Sequence, residues 1–510
     1  MNKNIKKFFN YVNGEWHSGS GKFLESINPA RHLEVVGHGM AFTEQEVGKA
    51  VTAADRAYDL WRDMSLPKRA EYFRRLILKL GDPEDQNNST ISDLAKLISL
   101  ECGKTLNEAR ADVVEGMHMI DTVFARGRLP IGDRVPSEFQ DKLCYTERMP
   151  RGVTAVISPW NFPFAIPWWM MGPALIMGNT VVFKPAEQTA LVGYKIAEMC
   201  SEVGFPPGVI NVVHGRGEVG EALVRDQRVR QVLFTGSYEV GRKIKRICAE
   251  DDELDKMLIA ETGSKSGLII FDDMFDNEDL LALASTATYQ SAFRTTGQRC
   301  VSAGRVFVPR KNTTVFVNRL MHDIESKVRA GDPFDAQTFM GPLIDSDAVK
   351  KVETYNELVR EYKKGVSILL PGETDLSTGY FAKPFVYLMD RYDSNLRTMT
   401  EEVFGPHIAI IPVDDVDEAV RSFADAPYNL AMSVLTQTNR WHEVFRRLRH
   451  KGLFYVNLPH VGAEVQLPFG GTRRSGTGMP SAVEMFNHVS HPVAVTINMG
   501  SDIRMAQGLK

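Results

Sequence analysis

Cys300 stands in Thr295-Thr296-Gly297-Gln298-Arg299-Cys300-Val301-Ser302-Ala303-Gly304-Arg305, among small and polar residues. A thiol on a Gly-flanked turn between two regular elements can be presented to a substrate as a nucleophile; a structural cysteine more often lies inside an apolar run. Position alone does not separate the two, because most free cysteines are structural. Glu261 closes Leu258-Ile259-Ala260-Glu261-Thr262-Gly263-Ser264. A carboxylate at the end of an apolar strand is either hydrogen-bonded structurally or a base with a raised pKa. Asn161 lies between two prolines in Ser158-Pro159-Trp160-Asn161-Phe162-Pro163. A rigid amide there can donate to a developing oxyanion, or can simply satisfy turn backbone. Phe234-Thr235-Gly236-Ser237-Tyr238-Glu239-Val240-Gly241 follows a strand and opens a helix. Its backbone N–H groups could receive a phosphate, although the spacing is not GxGxxG and a plain strand–helix turn also needs small residues. Lys184 and Glu187, at another strand end, could hold ribose hydroxyls or form a solvated charge pair.

The elements that must position these residues follow from periodicity. An Asn-Gly turn within Tyr11-Val12-Asn13-Gly14-Glu15-Trp16 signals a hairpin. Helices are expected over 43–62, capped by Thr43 with Glu46 three residues on, then 67–80, 88–103 and 104–126, the last carrying Glu115. Residues 145–158 are strand-like in composition. From there short β-branched runs alternate with helices: strands at 180–183, 209–213, 231–234, 257–260 and 268–271, helices at 189–203, 217–224 and 240–249. Such alternation argues for a parallel, doubly wound α/β sheet. A helix over 280–293 precedes the Cys300 turn, and a second α/β unit follows it. That unit has strands at 305–308, 367–370 and 408–412, with helices at 313–328, 350–364, 416–423 and 441–448. The alternating tail 490–498 reads as a strand without a local partner, of the kind that pairs with another unit or chain.

Composition narrows the class. The chain has 510 residues, 43% hydrophobic and 24% charged, and a net charge of −4. This is an ordinary globular composition with no reason to expect nucleic acid or anionic membrane as a partner. The five cysteines are scattered, without CxxC or Cys/His clusters, so neither disulfides nor a metal site are expected. The basic start (Lys3, Lys6, Lys7) lacks the apolar core of a secretory signal. The apolar run 162–177 is too short, and too broken by prolines, to span a bilayer. These features read as a reduced, cytoplasmic protein of enzyme size.

Together the motifs are specific. Along nearly its whole length the chain resembles the aldehyde dehydrogenase superfamily, through the Ser158, Lys184, Phe234, Glu261 and Cys300 motifs already quoted. Further matches are Glu401-Glu402-Val403-Phe404-Gly405-Pro406, Pro468-Phe469-Gly470-Gly471 and Ser475-Gly476. The resemblance implies an aldehyde dehydrogenase-like fold: two doubly wound α/β domains and an oligomerisation β-arm. It places the NAD-binding domain at 1–131 and 152–263, the catalytic domain at 264–473, and oligomerisation strands of a homo-dimer or homo-tetramer at 132–151 and 474–510. It implies oxidation of an aldehyde to an acid with NAD, or NADP, as acceptor. In that reading Cys300 is the nucleophile, Asn161 helps form the oxyanion site and Glu261 activates water. Ser158, Trp160, Lys184, Glu187, Gly236, Ser237, Gly241, Glu402 and Phe404 bind the cofactor. A carboxylate such as Glu187 on the ribose hydroxyls would repel a 2′-phosphate, which favours NAD.

Three departures from the family pattern bear on the substrate. Thr262-Gly263-Ser264 replaces Leu-Gly-Gly, Thr295 stands where Asn is usual, and Asn429 where Gly is usual. Glu115, Arg299, Ser302 and the Gly462-Ala463 loop suggest a carboxylate-bearing semialdehyde, by likeness to the aminoadipate- and glutamate-semialdehyde members. Trp169, with Trp168, Met170 and Met171, and Phe469 suggest instead an apolar tunnel wall, hence an apolar or aromatic aldehyde. A CoA-acylating relative normally lacks the water-activating Glu. A non-catalytic binding role and a plain thiol hydrolase are the remaining alternatives.

Overall fold

Short apolar runs that each end in a polar residue become neighbouring parallel strands. The computed structural model describes residues 6–129, 131–251, 256–362, 365–448, 452–479 and 482–505. The first sheet has eight strands, in the order Gly476–Thr477, Met257–Glu261, Val229–Thr235, Val153–Ile157, Thr180–Lys184, Ile210–Val212, Asn10–Val12, Glu15–His17. The five from Met257–Glu261 to Ile210–Val212 are parallel. Val153–Ile157 and Thr180–Lys184 are buried along their whole length, as strands covered on both faces must be. The chain winds outward from Val153–Ile157 through Thr180–Lys184, then returns to fill the other side with Val229–Thr235 and Met257–Glu261. The two directions part between Val153–Ile157 and Val229–Thr235, the topological switch point where a doubly wound sheet opens a crevice at its carboxyl ends. Ser158, Lys184, Gly236 and Glu261 lie at those ends.

The N-terminal hairpin turns at Asn13 (φ 53°) and Gly14 (φ 84°), which suits a type I′ turn. The first long helix, Glu44–Asp63, starts at the expected capping box of Thr43 and Glu46. Three readings of the sequence change. The strand-like stretch 145–158 is two strands in different sheets, Lys142–Pro150 and Val153–Ile157. The Asn179 side chain holds the break between them, accepting from Arg151 N (2.8 Å) and Gly152 N (3.0 Å). Ala165–Ile176 is a helix buried throughout. Pro167 falls in its first turn, where no N–H is required, and an all-apolar helix is one that belongs inside. Third, Gly476–Thr477, grouped above with the terminal strands, pairs antiparallel with Ala260 and Glu261 at the edge of the first sheet. The helix expected at 350–364 is Ser346–Glu361. Residues 363–364, like Lys3 and the last residues of the 474–510 segment, lie outside the described residues.

The second sheet has seven strands, in the order Val366–Pro371, Phe385–Met389, His407–Val413, Ala303–Pro309, Ser266–Ile270, Ala431–Leu435, Leu453–Val456. All are parallel except the edge strand Val366–Pro371. The tail strand Ser490–Asn498 does have a partner in its own chain. It pairs antiparallel with Lys142–Pro150, from Ser490↔Pro150 to Asn498↔Lys142. No helix among the described residues is long and apolar enough to cross a membrane.

A buried ion pair ties the helices near the crevice. Lys104 Nζ lies 3.0 Å from Asp112 Oδ2, both side chains fully enclosed. Asp112 Oδ1 also accepts the N–H of Ala165 (2.8 Å), fixing the start of helix Ala165–Ile176. Replacing Asp112 by Ala leaves the Lys104 ammonium buried without its partner. The expected cost is ~3–5 kcal/mol, read as a lower urea midpoint; an unchanged midpoint would show that the pair is dispensable.

Candidate active site

Glu261 ends a strand of the first sheet, and the second sheet begins at Ser266. The carboxyl edge of one sheet is therefore joined to the amino edge of the other by residues 262–265. The Cys300 turn leads into Ala303–Pro309, the strand beside Ser266–Ile270. Cys300 and Glu261, far apart in sequence, consequently line the same cavities. The Asn161 amide donates to the carbonyl of Gln298 (3.0 Å), two residues before the thiol. Gly297 (φ 69°) lets this turn close, since a Cβ there would collide with the Gly405 carbonyl.

Asn161, Glu261 and Cys300 line one cavity of about 170 Å³ together with Trp160, Gly236, Ser237, Glu402 and Phe404. Glu402 accepts from Ser264 N (2.7 Å), and Phe404 meets Trp160 edge-on at 5.8 Å. Ser237 caps helix Tyr238–Ala249, its hydroxyl accepting from Val240 N (3.4 Å). At the neighbouring strand end the buried Lys184 ammonium reaches Glu187 (3.8 Å) and the Pro185 carbonyl (3.2 Å). Ser158 is buried, its N–H donating to the Lys184 carbonyl (3.3 Å). These residues fit a dinucleotide. A side chain at Gly263 would run into the Glu402 carboxylate, and one at Gly236 would come within 2.6 Å of the Phe234 ring, so both positions keep the cradle open. Gly241 is different: a Cβ there would meet Thr262 and the Phe234 ring, so its smallness serves helix–strand packing.

On the other side of Cys300 a narrow tunnel is lined by Glu115, Trp169, Arg299, Gly462, Ala463 and Phe469. Trp169 and Phe469 pack ring to ring at 5.0 Å. Ser302, expected beside the substrate, is placed elsewhere. Its hydroxyl accepts the Arg299 N–H (3.3 Å) and borders a separate small polar space with Lys265 and His407. Sequence reasoning missed Phe162, Ile166, Thr235 and Val301 in the tunnel, each of which reads locally as core. It also missed Lys351, which lines the cofactor cavity from helix Ser346–Glu361; a lysine on an amphipathic helix gives no signal apart from a solvated face.

Burial dominates the electrostatics. It pushes the Glu261 carboxyl up to about 8, reinforced by the negative charge of Glu402 and opposed by the Gly263 N–H and the Cys300 thiol. Glu402 is itself raised to about 7 by burial. The Cys300 thiol lies well above its ordinary range, first through burial and then through Glu261 and Glu402. A thiol so placed is neutral at rest, beside a carboxyl that becomes able to take its proton as the pH rises toward about 8.

A crevice at a switch point, opening onto a buried thiol and carboxyl, suits a dinucleotide-dependent dehydrogenase. The model of the aldehyde dehydrogenase family matches residues 16–495. The chain is 35% identical over 476 residues to an alpha-ketoglutaric semialdehyde dehydrogenase of Bacillus subtilis, covering 92% of this chain and 93% of that one. It is 35% identical to a 1-pyrroline-5-carboxylate dehydrogenase of a Geobacillus species, over 89% of this chain and 86% of the other. The crystal structure of betaine aldehyde dehydrogenase from Staphylococcus aureus in complex with NAD+ superposes with a TM-score of 0.89 at 28% identity, covering 97% and 96% of the two chains. The chain belongs to the aldehyde dehydrogenase family, and is an NAD(P)-dependent aldehyde dehydrogenase.

The charge relations give a signed test. Negative Glu402 raises both Glu261 and Cys300. Glu402→Gln removes that charge, so both groups should ionise at lower pH. The pH midpoint for alkylation of Cys300 by iodoacetamide is expected to move down; a midpoint that stays or rises would contradict the coupling.

Proposed function

We propose that this dehydrogenase oxidises a short, carboxylate-bearing semialdehyde to the corresponding acid, with NAD as the favoured acceptor and NADP as the alternative. The observation that carries the substrate reading is Arg299, among the described residues the one cation that lines the tunnel, which it shares with Cys300, Gly462 and Ala463. The names of the semialdehyde and pyrroline-carboxylate dehydrogenases that resemble this chain point the same way. Glu187 at the ribose position supports NAD, because its carboxylate would repel a 2′-phosphate.

The chemistry follows from the three groups at the meeting of the sheets. Glu261 accepts the thiol proton as Cys300 Sγ attacks the aldehyde carbon, giving a thiohemiacetal. The Asn161 amide and the Cys300 backbone N–H donate to its oxyanion. The nicotinamide, when bound, supplies a hydride acceptor. The acyl group remains on Cys300 as a thioester. Glu261, having released the thiol's proton to solvent, takes a proton from the attacking water and returns it to the departing Cys300 sulfur, so the acid leaves and the thiol is restored. The raised pKa of Glu261 suits a group that must both accept and release protons near neutrality. A carboxylate against the cysteine also favours water over CoA as the acyl acceptor.

A second reading has its own support. Phe162, Trp169 and Phe469 make much of the tunnel wall apolar, and Arg299 is already engaged by Glu108 at 3.5 Å. An apolar or aromatic aldehyde would suit such a wall. The proposed division into a cofactor unit (1–131 and 152–263), a catalytic unit (264–473) and terminal oligomerisation strands (132–151 and 474–510) is supported by the separate sheets, with residues 476–477 returned to the first. Val493 and Ile497, exposed on the tail strand, favour a homo-dimer or homo-tetramer. Five free cysteines accord with a cytoplasmic location.

Two measurements test this reading. With a panel of aldehydes scored by NADH formation, four- to six-carbon semialdehydes should exceed neutral aldehydes of equal length in kcat/KM by about tenfold or more; comparable rates would transfer the assignment to the apolar reading. Glu261→Gln should yield a burst near one NADH per site and then stall, its steady rate down by about 10²-fold or more. Full turnover in that variant would remove Glu261 from the mechanism.

A further inference from the structure

Two consecutive threonines in the nucleophile turn adopt a conformation they disfavour. Thr295 has φ 52° and Thr296 φ 56°, in the left-handed region, where a β-branched side chain is a genuine outlier and persists only if its surroundings fix it. Thr296 is fastened by its hydroxyl to the Gly341 carbonyl (2.8 Å). Thr295 is fastened by Glu108, from the first turn of helix Leu106–Arg126. Glu108 Oε1 accepts the Thr295 N–H (2.7 Å) and its hydroxyl (3.1 Å), and Oε2 accepts the Thr105 hydroxyl (2.9 Å). Arg299 closes the ring, its Nε donating to Thr295 Oγ1 (2.8 Å) while Nη2 lies 3.5 Å from Glu108 Oε1.

The chain of bonds runs on to the reacting groups. The Thr295 carbonyl accepts from Gln298 N (2.9 Å) and Gln298 Nε2 (3.3 Å). The Gln298 carbonyl accepts the Asn161 amide (3.0 Å), and Cys300 follows two residues later. Glu108 is not among the residues that line the tunnel or the cofactor cavity.

We infer that Glu108 is a positioning residue for the reaction, holding Thr295 in the left-handed conformation that brings Cys300 and Asn161 together. Of the proposed function, the inference takes only that these two groups act on the same carbonyl. An apolar residue at 108 would leave the Thr295 N–H buried without an acceptor, and the turn would relax. A glutamine keeps the acceptor. An asparagine at 295 adopts the left-handed region readily by itself and should need the clamp less.

The test compares kcat, NAD affinity by fluorescence titration and the thermal midpoint for Glu108→Gln, Glu108→Leu and Glu108→Leu with Thr295→Asn. Glu108→Gln should keep kcat within about threefold, and Glu108→Leu should lose about thirtyfold with NAD affinity unchanged. Adding Thr295→Asn to Glu108→Leu should recover about fivefold or more of the lost kcat. Should Glu108→Leu fail to fold, Glu108→Asp, which withdraws the carboxylate by one methylene, is read in the same way with and without Thr295→Asn. Full kcat in Glu108→Leu, equal losses in Glu108→Gln and Glu108→Leu, or no recovery from Thr295→Asn would each overturn the inference. Full activity of a Cys300→Ala variant would instead overturn the proposed function, which the Glu108 series does not address.

Discussion

Everything at this site depends on the shortness of the link between the two sheets. Residues 262–265 are all that separates Met257–Glu261 from Ser266–Ile270. A link so short cannot carry the chain over a face of either sheet, so the carboxyl ends of the first must abut the amino ends of the second. The donors of its first three residues are committed. Thr262 donates to Ser475 O (2.9 Å) and Arg474 O (2.6 Å), Gly263 N to Glu261 Oε1 (3.3 Å), and Ser264 N to Glu402 (2.7 Å). The Ser264 hydroxyl donates to the Cys300 carbonyl and meets Ser266 Oγ (2.8 Å). One strap thus ties Glu261, the Cys300 turn and Glu402 together. The Thr-Gly-Ser departure from the family pattern contributes: Thr262 and Ser264 supply hydroxyl donors that Leu and Gly could not.

That junction also explains the electrostatics. Glu261, Glu402 and Cys300 meet where both sheets exclude water, and burial is the leading cause of the raised pKa of each. Placing two carboxylates and a thiol together would be self-defeating in a solvated cleft, where each would ionise independently. Here the desolvation cost opposes the simultaneous charging of all three, since each ionised group makes the next harder to ionise. The Gly263 N–H partly offsets this for Glu261, which keeps that carboxyl in a range useful for acid–base work.

The sequence makes the strand ends legible, because an apolar run closing in Lys184 or Glu261 says where burial stops and the crevice begins. Motif order singles out Asn161, Glu261 and Cys300, the three groups proposed to react. Features hidden from the sequence share a cause: each depends on a partner distant in the chain. The helix Ala165–Ile176 has no polar face to set a period, since it is enclosed on all sides. The break between Lys142–Pro150 and Val153–Ile157 rests on Asn179, and the left-handed pair Thr295 and Thr296 on Glu108 and Gly341. Ser302 is close to Cys300 in sequence, but the turn directs its hydroxyl back to the Arg299 N–H and away from the tunnel. Lys351 reaches the cavity from a helix of the other unit.

Substrate choice turns on how much of its charge Arg299 can offer. Its guanidinium sits over the Phe162 ring at 5.3 Å, and its contact to Glu108 is long at 3.5 Å, while Oε1 of that carboxylate also receives two closer donors from Thr295. A carboxylate already satisfied by neutral donors competes weakly for a guanidinium. An incoming substrate carboxylate could take the remaining Arg299 N–H groups without breaking the Thr295 clamp, and would do so in a narrow, water-poor tunnel where a charge-assisted bond is strongest. Glu115, raised to about 8 by burial, is largely neutral near pH 7 and so opposes such an anion less than a surface glutamate would. Phe162, Trp169 and Phe469 would contact the methylenes between the two ends of such a molecule. Charge at one end and apolar contact along the length are therefore compatible demands, and a semialdehyde of a few carbons meets both.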